Sequence, residues 1–228
     1  MQFFYYIRLF FFIAFNWNIK LAWFTICHEM RGEKKYHLDT SKIEDIKKLS
    51  VRGDNAEHAE LYQGANYFLL EKIFDYLQSI EANQNILDYG CGKGRVLAVA
   101  AWYGFRKITG VEFAKELCDA ARKNIAPIQE KFPGRIFNVI HADAVEYNIE
   151  PETNVFFFFN PFNETVMLAV VKNILRSLSQ FPREVYVVYI NPVHQEIFMS
   201  AGFEPIFHYE KLKYIQADIF MKSIEEIN

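Results

Sequence analysis

The run Ile86-Leu-Asp88-Tyr-Gly90-Cys91-Gly92-Lys-Gly94-Arg95-Val-Leu leaves the chain few ways to fold. An apolar strand ends at Asp88, glycines take alternate positions, and an apolar segment of helical character begins at once. Glycine lets the backbone turn sharply and approach a ligand, and the helix behind it offers free N–H donors. A dinucleotide fingerprint would want its third glycine at position 95, where this chain has Arg95, and the third glycine is Gly94. The acid two residues before the first glycine, Asp88, suits a ligand that bears a cation at this point. A sulfonium or an ammonium is such a cation, and a pyrophosphate is not.

Around this loop the chain alternates short apolar runs with longer helical ones. The patterning predicts strands at Ile86–Tyr89, Lys107–Glu112, Ile136–His141, Val155–Phe159, Val185–Ile190, Glu204–Glu210 and Lys213–Met221. Helices are predicted near Gly94–Tyr103, Lys115–Ile125, Glu164–Ser179 and His194–Ala201, with an earlier one from about Ala56 to Ser79. Five strands with intervening helices, closed by two consecutive strands, predict an α/β fold with an open, mostly parallel sheet covered on both faces. Ligands of such sheets bind at the carboxyl ends of the strands, near the switch in strand order. The loops after the first four strands are therefore the candidate site.

At these residues the chain resembles the class I S-adenosylmethionine-dependent methyltransferases, over roughly Leu61 to Lys222 and in that family's linear order. The resemblance implies a Rossmann-like seven-stranded sheet and S-adenosylmethionine as the cofactor. In that family the acid and glycine loop hold the methionine portion, which falls here on Asp88, Gly90, Cys91, Gly92 and Gly94. The acid ending strand two binds both ribose hydroxyls; here it is Glu112, 22 residues after Gly90 and followed by Phe113. A carboxylate can accept from two hydroxyls at once, which is the reason for that residue type. After strand three, Asp143 and Ala144 fall at the family's adenine-contacting position.

Strand four runs into Asn160-Pro161-Phe162, which resembles the acceptor loop of the amino-methylating members of the family. There the Asn side chain and a backbone carbonyl orient the target amine and the aromatic ring packs on it. The fullest version has two prolines, and this chain has one. Methyl transfer from a sulfonium starts from an activated donor, so alignment and exclusion of water supply most of the catalysis. A hydroxyl acceptor would need a base, and His141 and His194 lie at predicted strand ends, where ordinary loop histidines also occur. Tyr62, Gln63 and Tyr67 are candidates to cover the cleft. No HxxxH, HExxH or Cys/His cluster occurs, so no metal site is expected. The resemblance implies an enzyme that methylates an unidentified acceptor, an amine of a small molecule or protein; a catalytically silent cofactor-binding scaffold is the alternative.

Composition bounds the partners. With 228 residues, 51% of them hydrophobic and a net charge of −3, the chain is long enough for a full core and has no basic surplus for a phosphate backbone. Three dispersed cysteines, Cys27, Cys91 and Cys118, fit neither a disulfide framework nor a zinc knuckle, and a reducing cytoplasm is the expected location. Residues 1–30 hold 11 of the 39 aromatic residues, and residues 31–60 shift to seven basic and seven acidic side chains. Residues 1–55 thus read as a helical extension and a charged connection, with a short helix over Ser41–Leu49, ahead of a catalytic unit at 56–228. The longest uncharged stretch near the start, Leu9 to Ile19, is 11 residues, too short to cross a bilayer. On a helical wheel Arg8, Asn16 and Lys20 share an arc of about 120°, with Asn18 outside it. Such a helix packs internally, pairs with a second copy as a homodimer, or lies at a membrane interface with Trp17 and Trp23 at headgroup level.

Overall fold

The computed structural model describes residues 2–41, 64–159 and 162–224. Its centre is a seven-stranded sheet built from β1 (Asn85–Tyr89), β2 (Lys107–Glu112), β3 (Ile136–His141), β4 (Val155–Phe159), β5 (Val185–Ile190), β6 (Glu204–Lys211) and β7 (Ile215–Lys222). The order across the sheet is β3-β2-β1-β4-β5-β7-β6, parallel from β3 to β5, with β7 antiparallel to both its neighbours. Strand order reverses between β1 and β4, so the crevice of the sheet opens at their carboxyl ends. Pro205 lies on the edge strand β6, beside an irregularity in its register with β7, where the missing N–H costs no ladder bond on the open side.

Side chains of the central strands divide between two faces. Val155 and Phe157 of β4, with Val188 and Ile190 of β5, join one apolar cluster, covered by helices α3 (Tyr67–Ser79), α4 (Arg95–Trp102) and α5 (Lys115–Lys131). Phe156, Phe158, Val187 and Tyr189 point the other way into a second cluster, under α6 (Glu164–Gln180) and α7 (Gln195–Ser200). A strand buried on both faces explains why β4 reads Val-Phe-Phe-Phe-Phe with no polar alternation.

The strands match the periodicity to within two residues at every end, and the helices differ where local chemistry intervenes. The N-terminal segment is two helices, α1 (Gln2–Asn16) and α2 (Ile19–Tyr36), rather than one. Asn18 caps the second through a 2.8 Å bond from the Leu21 N–H, which is why it falls outside the polar arc of a continuous wheel. Residues 31–36, read from their charge as connection, complete α2, and Glu29 and Glu33 are buried. Helix α3 starts at Tyr67 with Asn66 as its cap, so residues 64–66 lie outside it. The predicted helix over Ser41–Leu49 falls outside the described residues, except Ser41, which is not helical. Helix α5 continues six residues past Ile125 through the exposed Pro127, because Ile128 extends the buried stripe beyond the proline. Among the described residues no helix is long and apolar enough to cross a membrane.

Candidate functional site

Three loops meet at the carboxyl ends of β1, β2 and β3. The loop after β1 folds over β2: the Gly90 and Cys91 N–H groups donate to the Val111 carbonyl at 2.8 and 3.1 Å, and the Gly92 N–H donates to Glu112 Oε2 at 2.9 Å. Gly90, Gly92 and Gly94 all have positive φ, of 76°, 52° and 79°. At Gly94 a Cβ would also approach Ile125 Cδ1 to 3.1 Å, so its lack of a side chain lets α4 pack on α5. Glu112 Oε1 accepts from the Ala114 N–H at 3.0 Å, and the His141 ring meets the Phe113 carbonyl at 3.0 Å. Asp143 is fixed from its own turn, with Oδ1 accepting from the Val145 N–H at 2.9 Å; Ala144 is buried beside it. The nine residues expected to hold a cofactor are thus gathered at one edge of the sheet.

Asp88 differs from the other acids. It is only 2% exposed, and its Oδ2 has no hydrogen-bond partner. Burial, reinforced by the nearby Glu112 carboxylate, holds its pKa well above the usual carboxylate range. Glu112 is raised as well by burial, against the pull of its backbone N–H donors. Burial and the same acids push the Cys91 thiol up, which makes it a packing residue rather than a nucleophile. An unpartnered buried carboxylate carries a desolvation cost that an arriving cation would remove. A buried carboxylate of this kind beside the glycine loop fits an amino-acid portion bearing an ammonium.

On the acceptor side, Asn160 and Pro161 lie outside the described residues. Phe162 sits edge-on to Tyr89 with ring centroids 6.4 Å apart, beside the end of β1. His194 borders the short α7, 3.8 Å from the exposed Glu196 carboxylate. Tyr67 does not cover a cleft: it is buried under α2, where its ring takes the space that a Cβ on Gly32 would need. Tyr62 and Gln63 lie outside the described residues.

Sequence reasoning missed a buried ion cluster behind the glycine loop. Arg95, the first residue of α4, is 2% exposed and forks onto both Glu29 oxygens, the Nη1 contact being 3.0 Å. Its Nη2 also reaches Glu33 at 3.3 Å, its Nε donates to Thr40 Oγ1 at 2.7 Å, and its Nη1 donates to the Ala65 carbonyl at 2.7 Å. The Tyr67 ring lies 4.1 Å beneath the guanidinium and its hydroxyl donates to Glu33 at 2.8 Å. The only sequence signal was a pair of acids four apart on a helix, and their partner lies 66 and 62 residues away.

Residues 60–162 match a family model described as a methyltransferase domain. Among solved structures, the fold is similar to a Pyrococcus horikoshii protein provisionally titled an RNA methyltransferase, at 20% identity and TM-score 0.52, covering 78% of this chain and 92% of that one. It is similar to an Escherichia coli protein provisionally titled a methyltransferase, at 14% identity and TM-score 0.56, covering 72% and 89%. It is also similar to magnesium protoporphyrin IX methyltransferase from Synechocystis PCC 6803 with S-adenosylmethionine bound, at 12% identity and TM-score 0.50, covering 67% and 76%. No curated protein matches the chain in sequence.

Proposed function

We propose that the chain is a class I S-adenosylmethionine-dependent methyltransferase that methylates an amine nitrogen, using a donor held on the Asp88 loop; the methyltransferase-domain match over residues 60–162 and the likeness of the fold support this reading. The observation that carries this reading is the buried, unpartnered Asp88 carboxylate at the switch in strand order. Asp88 holds the ammonium of the donor, whose amino-acid portion lies against the Gly90–Gly94 loop. Glu112, held by backbone N–H donors from Gly92 and Ala114, turns its remaining acceptor capacity to the ribose hydroxyls. Phe113, Asp143 and Ala144 bound the adenine.

When bound, S-adenosylmethionine supplies an activated methyl group: the acceptor's lone pair takes the carbon, the carbon–sulfur pair stays on sulfur, and the acceptor's proton leaves to water. Asn160 and the Pro161 carbonyl orient the amine by accepting its hydrogens, and Phe162 packs on it. Residues 1–55 form an extension joined to the catalytic unit at 56–228.

Thermal shift with S-adenosylmethionine, S-adenosylhomocysteine, NAD and ATP in parallel tests the donor. A ligand at about 100 times its dissociation constant adds roughly 2.7 kcal/mol, or about 5–10 °C for a chain of this size. Only the two adenosyl compounds are expected to shift the transition. An equal shift with NAD, or none with either adenosyl compound, defeats the reading.

The outer face of α1 favours one addition. Phe4, Ile7, Phe11, Phe12 and Phe15 are all exposed there, Phe15 by 85%. Residues 1–28 carry Arg8 and Lys20 and no carboxylate, although the whole chain is negative. An apolar face whose fixed charges are all positive matches an anionic lipid surface better than a second negatively charged copy. We therefore propose that α1 rests on anionic bilayers. The protein should co-sediment with phosphatidylserine vesicles and not with phosphatidylcholine ones, and Phe11→Ser/Phe15→Ser should abolish binding. A concentration-dependent dimer that the same double variant dissociates would assign the face to a second copy instead.

A further inference from the structure

A cavity of about 350 Å³ lies between the N-terminal helices and the strand ends. Ile13 of α1, Leu21 of α2 and Leu69 of α3 form apolar walls, and Phe159 and Ile190 close it at the ends of β4 and β5. Phe159 is the residue before Asn160-Pro161, so the cavity begins where the candidate acceptor loop begins. Asn191, which follows Ile190 with a positive φ of 51°, also lines it. A non-glycine residue held in that conformation turns the chain away from β5 and leaves the space open.

Three polar residues of the lining gather at one end. Glu29, Ser41 and Asn66 all adjoin the Arg95 cluster: Glu29 is its direct partner, Ser41 follows Thr40, and Asn66 follows Ala65. Arg95 in turn directly follows the glycine loop. The cavity therefore borders the Arg95 cluster at one end and has an apolar body running under α1. Its size lies at the small end of organic-ligand sites.

We propose that this cavity holds the methyl acceptor, and that the acceptor is a small lipophilic amine with its nitrogen toward the ends of β4 and β5 and its hydrocarbon body between α1 and α2. This rests on the donor reading above and names the class of acceptor for the same site. Each methylene entering the cavity should tighten binding about fourfold until the space is filled.

The test uses n-alkylamines from butylamine to dodecylamine, titrated calorimetrically into the full chain loaded with S-adenosylhomocysteine, so that binding is read without turnover. Affinity should climb by at least tenfold along the series. Thr25→Phe, which adds a ring to the cavity lining, should flatten the climb while leaving the S-adenosylhomocysteine affinity within about twofold. Ile13→Ala enlarges the cavity and should extend the climb to longer chains. A flat series on loaded wild-type protein, or a Thr25→Phe series identical to wild type, overturns the cavity assignment alone. Failure of S-adenosylhomocysteine to load overturns the donor reading instead. Presenting dodecylamine dissolved and then embedded in phosphatidylcholine vesicles separates the two sources: tighter capture of the dissolved amine supports a free metabolite, and tighter capture from vesicles supports a membrane lipid.

Discussion

Arg95→Met should cost the folded protein about 3–5 kcal/mol, measured as a fall in the urea midpoint at an unchanged slope. The size of the effect comes from what is left behind rather than from what is removed. Glu29 and Glu33 stay buried without their cation, and the Ala65 carbonyl loses its donor. Tyr67 loses the charge above its ring as well. The pair itself contributes much less than this loss, because desolvating three charged groups cancels most of their attraction. The companion variant Arg95→Met/Glu29→Met/Glu33→Gln should therefore recover most of the stability. An amide in place of the Glu33 carboxylate still offers one oxygen to the Thr40 N–H, the Thr40 hydroxyl and the Tyr67 hydroxyl, the three neutral donors that Glu33 Oε1 serves now. A single-variant loss below about 1 kcal/mol would show that the cluster is wetter than its burial indicates.

Asp88→Asn should have the opposite profile, with little effect on folding and a large one on the donor. Removing one partner of a buried charged contact costs about 2–5 kcal/mol of binding, or roughly 30-fold to several thousandfold in the affinity for S-adenosylmethionine. The unliganded protein should be as stable as wild type or more so, since the side chain it loses is an ionisable group with an unpartnered oxygen. The pH dependence follows from the raised pKa. Between the usual carboxylate range and the raised value, the folded state holds a proton that the unfolded chain has released. Unliganded wild-type protein therefore loses stability as pH rises through that window. A bound ammonium favours the ionised form, so donor binding releases a proton and tightens as pH rises through the same window. Calorimetry in buffers of different ionisation enthalpy should detect that proton in wild type and not in Asp88→Asn. Equal proton release in both would assign it to Glu112, which is also raised.

The strand skeleton was legible because each strand is short, apolar and buried on both sides, which leaves little choice of residue. Lys107–Glu112, Ile136–His141, Val155–Phe159 and Val185–Ile190 agree with the periodicity residue for residue. The glycine loop was legible for a related reason: three positive φ angles in five residues leave few alternatives to glycine. The N-terminal half resisted because its logic is tertiary. Asn18 breaks what looks like one amphipathic helix, since an Asn side chain can cap a new one. Glu33 falls in what reads as a charged connection, and only Arg95, brought in on α4, accounts for its burial beside Glu29. Along the chain Arg95 reads only as a residue that spoils a dinucleotide fingerprint, although it holds the extension in place. The cavity under α1 is likewise invisible along the chain, because its walls come from three helices and the ends of two strands.

The Arg95 cluster also governs how the protein can be shortened. The first 41 residues supply Glu29, Glu33 and Thr40 to a guanidinium that sits at the root of the donor loop. Trimming the aromatic helices to obtain a minimal catalytic core would therefore strand a positive charge behind that loop and unroof the cavity in the same cut. Any truncation meant to improve handling should end before α2, or carry Arg95→Met with it.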